Sequence, residues 1–95
     1  MRESTIEKAI CDHARKTGWL VYKFTSPAHR SVPDRIFINK QGVTCYLEIK
    51  APGKKPTVLQ ERELKILTEQ GANAAWTDSA FNGRAWLDNL RNIKL

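Results

Sequence analysis

Two acids and one amine in this sequence are placed where they could act together. Asp34 follows Pro33 at the start of an apolar stretch, and Glu48 and Lys50 lie two residues apart near the end of the next one. Side chains two residues apart on a β-strand point to the same side of the sheet. If the two stretches pair through a tight turn at Gly42, both carboxylates and the amine converge at one end of the sheet.

This combination of groups suits the hydrolysis of phosphodiester bonds. Carboxylate oxygens such as those of Asp34 and Glu48 are ligands that Mg²⁺ prefers, and Mg²⁺ also binds phosphate oxygens. A bound metal ion lowers the pKa of water and stabilises negative charge on the phosphate. Lys50 could orient the attacking water or neutralise the transition state. The alternative is a solvated strand and an ordinary turn after Pro33, because Glu-x-Lys alone has little specificity.

Seven predicted elements must position these residues. Helical periodicity and a Ser4–Glu7 capping box predict a first helix over 4–17, which Gly18 would end. Strands are expected at 19–25, 34–39, 43–50 and 73–77, and helices at 58–70 and after Asp78 or Ser79. The short turn between strands two and three predicts a hairpin, and the helix between strands three and four predicts a right-handed parallel crossover. The result is an α/β fold, a small mixed sheet flanked by helices.

The composition bounds the size and the partners of the protein. A chain of 95 residues, 41% hydrophobic and 27% charged, is expected to fold as one domain over 1–95. Lys plus Arg number 16 and Asp plus Glu number 10, so the net charge of +6 favours a polyanionic partner, most simply nucleic acid. The alternative is a basic protein whose charge only prevents association. No stretch has the length of a membrane helix and none near Met1 resembles a secretory signal, so we expect no membrane partner and a cytoplasmic location.

The two cysteines do not indicate a structural metal. Cys11 and Cys45 are far apart in the sequence, and His13 and His29 do not complete a zinc-binding pattern with them. We expect both cysteines to be buried free thiols in a reducing cytoplasm, with a disulfide as the alternative.

The order of the acids, the lysine and the elements resembles a known group of enzymes. Pro33-Asp34 and Glu48-Ile49-Lys50 look like the motif of the PD-(D/E)XK nuclease superfamily. Residues 46–53, followed by Gln60, are similar to the VRR-NUC family within it, the virus-type replication and repair nuclease domain, which occurs alone in phages and fused in repair enzymes. The match spans about residues 7–77. It implies a restriction-endonuclease-like core of order αβββαβα and a DNA endonuclease that uses Mg²⁺, with Mn²⁺ as a substitute.

The resemblance also assigns roles to six residues. It makes Asp34 and Glu48 the metal-binding acids and Lys50 the catalytic lysine. The remaining members of the implied site are the backbone carbonyl of Ile49, Gln60 on the second helix and Glu7 on the first helix, as an acid that completes the metal site. One departure is Ser31, where many members would have glycine, and it affects the loop before Pro33-Asp34 rather than the acids.

Two of these residues also have a purely local explanation. Glu7 lies three residues after Ser4, and Gln60 lies three residues after Thr57, so each could be the partner in a capping box. Gln60 shares a helical face with apolar residues, which would direct its side chain towards the sheet. A polar side chain on such a face needs a partner, and the acidic site could supply one.

Basic residues in two loops flank the expected site. They are His29, Arg30, Lys54 and Lys55. Contact with DNA phosphates is one interpretation and solvated loop charge is the other. The tryptophans are expected to pack in the core rather than to stack on bases; they are Trp19, Trp76 and Trp86.

The function that combines these features is a Mg²⁺-dependent, structure-selective DNA endonuclease. Resemblance to stand-alone members, which look like Holliday junction resolvases, implies a homodimer that acts on branched DNA in the host cytoplasm if a phage encodes the chain. Two-fold symmetry would supply two active sites for the two cuts. The alternatives are a non-catalytic nucleic-acid-binding module on a nuclease-like scaffold and a structural phage protein with incidental charge.

Overall fold

Three helices and four strands follow one another in the predicted order in the computed structural model, which describes residues 1–93. The helices are α1 (Glu3–Lys16), α2 (Val58–Glu69) and α3 (Ala80–Arg91), and the strands are β1 (Leu20–Lys23), β2 (Arg35–Ile38), β3 (Thr44–Ile49) and β4 (Asn73–Thr77). Each observed strand lies within its predicted range, and α1 begins one residue earlier than predicted. The last two residues of the predicted domain lie outside the described range.

The four strands form one mixed sheet in the order β1-β2-β3-β4. The strands β1, β2 and β3 are antiparallel neighbours, whereas β4 runs parallel to β3. The hairpin and the parallel crossover pair are therefore confirmed. In the hairpin register Arg35 lies opposite Leu47, so the residue just before β2 comes next to the end of β3.

A side-chain amide fixes the turn of the β2–β3 hairpin. Asn39 Oδ1 accepts hydrogen bonds from the backbone N–H groups of Gln41 and Val43, both at 3.0 Å. Gly42 has a φ of 82°, the left-handed region that glycine adopts without steric cost. This turn sets the register, and the register decides which β3 side chains face the core.

The core lies between the sheet and the pair α1 and α3. Alternating residues of β3, namely Cys45, Leu47 and Ile49, are buried on this face together with Phe37 of β2. The helices contribute further buried side chains, which are Ile6, Ile10, Cys11, Ala14 and Leu87. Because successive strand residues point to opposite faces, Glu48 lies on the other face of the sheet. There α2 packs against β4.

The predicted capping box at the start of α1 is wrong. Arg2 is the N-cap residue and makes no side-chain capping hydrogen bond. Because the helix begins at Glu3, one residue earlier than predicted, Ser4 is inside the first turn and Glu7 is beyond the capping position. Glu7 Oε2 instead accepts a hydrogen bond from Arg35 Nε at 2.8 Å.

Two of the three tryptophans pack in the core as predicted, and one does not. Trp19 is buried and contacts Phe37 edge to face, and Trp86 packs against the core. Trp76 is 38% exposed, so the prediction for it is wrong. The physical reason is that β4 is an edge strand, and the side chain of Trp76 shares the α2 face of the sheet with Glu48, its register partner on β3.

Both cysteines are buried and free, as predicted. Burial raises the pKa of the Cys45 thiol to about 12, so this side chain behaves as an apolar core residue. His13 Nε2 hydrogen-bonds Asp88 Oδ1 at 2.8 Å and links α1 to α3. Among residues 1–93, no helix has both the length and the apolar character needed to cross a membrane.

Candidate active site

The backbone of β3 holds Asp34 at the end of the sheet. Asp34 follows the buried Pro33, and its Oδ2 accepts a hydrogen bond from the Ile49 backbone N–H at 2.8 Å. Its carbonyl oxygen accepts one from the Phe24 backbone N–H at 3.0 Å. These bonds extend the sheet by one residue beyond β2. The structure thus brings Asp34 to the last residues of β3.

Glu48 is a buried acid on the α2 face of the sheet. The residue is only 3% exposed, and its Oε2 accepts a hydrogen bond from Gln60 Nε2 at 3.1 Å. The Lys50 Nζ lies 3.4 Å from the same oxygen. The side chains of Glu48 and Lys50 share a face, as the two-residue spacing predicts. A carboxylate, an amide and an amine thus meet in one partly buried position.

The side chain of Gln60 makes contacts both at the helix cap and with the buried acid, the two positions that the sequence suggested. Its Oε1 accepts a hydrogen bond from the Thr57 backbone N–H at 2.9 Å, and Thr57 Oγ1 accepts one from the Gln60 backbone N–H at 3.2 Å. This is the predicted capping box of α2, and it is confirmed. The Nε2 of the same amide donates to Glu48. The N-terminus of α2 is therefore fixed relative to the buried acid.

Burial gives both acids an unusually high affinity for protons. Burial first and the negative charge of Asp34 second raise the pKa of Glu48 to about 7, although the positive charge of Lys50 opposes the change. Burial also raises the pKa of Asp34, against the hydrogen bond from Ile49 N–H. Two desolvated carboxylates with one nearby lysine leave an excess of negative charge. Such a position attracts a cation.

The donor set fits a divalent metal ion with oxygen ligands. Asp34 Oδ1 and Glu48 Oε1 have no hydrogen-bond donor among residues 1–93, whereas the second oxygen of each carboxylate is held. The N–H and C=O groups of a strand residue face the same neighbour, so the carbonyl of Ile49 faces the Asp34 side. No group of three or more His, Cys, Asp or Glu side chains that could hold a metal occurs within residues 1–93. Mg²⁺ commonly uses one or two carboxylates and takes its other ligands from water and phosphate.

The first helix adds acidic side chains beside Asp34. Glu3 and Glu7 line one cavity together with Asp34 and Lys23. Glu7 has one oxygen bonded to Arg35, so it is next to the site with part of its carboxylate engaged. Glu3 is a residue that the sequence argument missed. Its signal is the four-residue spacing from Glu7, which places the two acids on one face of α1.

The four basic loop residues have different surroundings. Lys54 and Lys55 are exposed in the loop after β3, where the Gly53 backbone N–H donates to Asp78 Oδ2 at 2.9 Å. Arg30 is exposed in the loop between β1 and β2. His29 Nε2 instead hydrogen-bonds the Glu63 carboxylate on α2, a buried residue that the sequence argument also missed.

Comparison with known proteins found a curated relative and a solved structure that are similar to this chain. The chain is 43% identical over 79 residues to "Putative nuclease p44" of Acyrthosiphon pisum secondary endosymbiont phage 1, which covers 83% of this chain and 85% of the relative. A solved structure described as a VRR_NUC domain superposes with a TM-score of 0.84, covering 93% of this chain and 97% of its own, at 23% identity. The predicted fold is therefore confirmed. No family model matches the chain.

Proposed function

The chain belongs to the VRR-NUC family, and from this membership and its acidic site we propose that it is a nuclease that hydrolyses phosphodiester bonds in DNA with the help of a divalent metal ion. The observation that carries the proposal is the buried Glu48 beside Asp34, with Lys50 and Gln60 both directed at one Glu48 oxygen. A purely structural carboxylate in this position would be unfavourable, because burial disfavours its charged form.

The residues of the site would have different roles in metal binding and in hydrolysis. Asp34 and Glu48, with the Ile49 carbonyl, would hold Mg²⁺, and Mn²⁺ would substitute for it. When bound, the ion stabilises negative charge on the scissile phosphate. The amine of Lys50, 3.4 Å from Glu48 Oε2, would orient the attacking water and offset charge in the transition state.

Gln60 and Glu7 would support this set without reacting. Gln60 holds Glu48 Oε2 and thereby leaves Oε1 available for the cation. Glu7 lies in the same cavity as Asp34 and adds negative charge next to it, while Arg35 binds one of its oxygens. Such supporting groups fix the orientation of ligands and commonly change activity by about 10- to 100-fold when they are removed.

We further propose that the substrate is branched DNA and that the active form is a homodimer. One site cuts one strand, whereas paired cuts in a two-fold symmetric junction need two sites related by the same symmetry. The edge strand β1 exposes the apolar side chains of Leu20 and Tyr22, which offer surface for contact between copies. Light scattering should give twice the 10.9 kDa mass of one chain. A monomer at the concentrations used for cleavage would contradict the dimer.

Substitution of the acids tests the proposed reaction. We expect Asp34→Asn and Glu48→Gln to abolish Mg²⁺-dependent cleavage of four-way junction and flap DNA, while DNA binding remains. Asp12→Asn is the matched control, because Asp12 is partly exposed on α1 and pairs with Lys8. Unchanged cleavage by either acid variant would overturn the proposal. Salt-sensitive binding with no metal-dependent cleavage by the wild type would instead support a non-catalytic binding module.

A further inference from the structure

We propose that a cavity between the β1–β2 loop and α2 binds a backbone phosphate of the DNA, through the guanidinium groups of Arg30 and Arg62. The inference rests on the proposed function, since it names a second contact for the same substrate. The cavity measures about 260 Å³ and lies between loop residues 29–31 and one face of α2. The α2 residues that line it are Leu59, Arg62, Glu63 and Ile66.

Both sides of this cavity are close to the acidic site along the chain. On α2, Glu63 lies three residues after Gln60, which is about one helical turn, and Gln60 bonds Glu48. On the loop, residues 29–31 lead through Pro33 directly to Asp34. A DNA strand with its scissile phosphate between Asp34 and Glu48 would therefore present a neighbouring phosphate to the cavity.

The charges in the cavity favour an anion. Its one acid, Glu63, is 9% exposed and is bonded by His29, which reduces its effect on an incoming phosphate. Arg30 and Arg62 are exposed, and neither makes an ion pair or a side-chain hydrogen bond within residues 1–93. Arginine suits phosphate because its planar fork can donate two parallel hydrogen bonds.

The His29–Glu63 pair gives the loop a fixed shape before DNA binds. Ser31, two residues after His29, has a φ of 67°, a left-handed conformation that is unfavourable for a residue with a side chain. Surrounding contacts must hold such a conformation in place. His29 is thus a positioning residue that anchors the loop to α2, and Arg30 beside it is the residue that contacts phosphate.

The salt dependence of DNA binding tests the phosphate contacts. In the Asp34→Asn background, which we expect to bind DNA without cutting it, a fluorescent four-way junction is titrated at several salt concentrations. We expect Arg30→Ala and Arg62→Ala each to weaken binding and to lower the slope of log Kd against log salt by about 0.9, the value for one phosphate contact. Arg15→Ala, an exposed residue paired with Asp12, removes the same charge from α1 and should leave the slope unchanged.

DNA affinity tests the anchoring role of Glu63, because loss of the anchor and loss of a negative charge should change the affinity in opposite directions. Glu63→Ala and the control Glu61→Ala each raise the net charge by one, and Glu61 is exposed on α2. General electrostatics predicts tighter DNA binding by both. We expect weaker binding by Glu63→Ala only, since its loop loses the anchor, and circular dichroism checks that the variant is folded.

Each outcome decides the proposal. The phosphate site would be overturned if the salt slopes were equal for Arg15→Ala, Arg30→Ala and Arg62→Ala. This comparison holds even if Glu63→Ala fails to fold. Tighter binding by a folded Glu63→Ala would overturn the anchoring role. A wild type that binds DNA without cutting it would refute the proposed function, but the slopes would still decide the phosphate site. No measurable DNA binding would refute both.

Discussion

Replacing Glu48 by glutamine should stabilise the metal-free protein at neutral pH and do little at acidic pH. The amide keeps nearly the same shape and can still accept hydrogen bonds from Gln60 and Lys50, which both lie near Glu48 Oε2. It removes only the negative charge that burial disfavours. The gain in the free energy of unfolding therefore measures how much the buried negative charge destabilises the folded protein when no cation is bound.

The magnitude follows from the affinity of Glu48 for its proton. Burial, together with the negative charge of Asp34, raises its pKa from the ordinary value of 4.5 to about 7. Since one pKa unit corresponds to about 1.4 kcal/mol, the ionised side chain destabilises the folded state by about 3 kcal/mol. Below pH 4.5 Glu48 is protonated in both states and contributes nothing. Between pH 4.5 and about 7 the unfolded chain loses the proton first, so the contribution of Glu48 to stability falls as the pH rises.

Urea denaturation of both proteins in EDTA, from about pH 4 to about pH 8, measures the effect. The free energy of unfolding of Glu48→Gln should match that of the wild type at the acidic end and exceed it by about 3 kcal/mol at the basic end. Mg²⁺ at the basic end should stabilise the wild type more than the variant, because ligands stabilise the state that binds them. A gap that does not change with pH, or a wild type that is the more stable protein in EDTA at about pH 8, would refute the reasoning.

Further substitutions at the α2 cap, in the β1–β2 loop and in the core test other parts of the structure. Gln60→Ala and Thr57→Ala should each lower the free energy of unfolding by about 1 kcal/mol, because each removes part of the α2 cap. Only Gln60→Ala should also lower kcat, by about tenfold, because Gln60 holds Glu48. Equal kcat values for the two variants would contradict a role of the Gln60–Glu48 bond in cleavage. Ser31→Gly should raise the free energy of unfolding by about 1 kcal/mol in urea, because glycine adopts its φ of 67° without strain; a loss of stability would contradict this. Gly83→Ala should lower stability by about 1–3 kcal/mol, because its Cβ would lie 2.5 Å from Ile10 Cδ1 in the core. Adding Ile10→Val to Gly83→Ala should recover part of that loss, because it removes the Cδ1 atom that clashes. An unchanged melting temperature for Gly83→Ala alone would contradict the predicted clash.

The convergence of the acids is the part of the site that the sequence predicts best. The two-residue repeat of a strand determines that Glu48 and Lys50 share a face, and the short turn at Gly42 determines the register. Both are local rules, and Asp34 follows from them because it begins the paired strand. The sequence determines the position of Gln60 only in part. Its three-residue spacing from Thr57 predicts the capping box, but the same spacing does not decide whether the side chain also contacts Glu48.

The features that the sequence does not show depend on how distant segments come together. His29 and Glu63 are 34 residues apart, and in the sequence each resembles an ordinary solvated charge. Glu7 fits a capping pattern, yet its observed partner Arg35 is 28 residues away. Trp76 has the composition of a core residue, but its exposure depends on β4 being the sheet edge. Local patterns hold no information on these pairings.

The most direct test of the central claim is cleavage of a labelled four-way junction by the wild type during a titration from EDTA into Mg²⁺. We expect no cleavage in EDTA, cleavage that rises with Mg²⁺ to saturation, and recovery with Mn²⁺. Linear duplex and single-stranded DNA in the same gel report the preference for branched substrates. Equal cleavage with and without metal, or no cleavage of any of these DNAs at any metal concentration, would contradict the assignment of Asp34 and Glu48 as the acids of a metal-dependent nuclease.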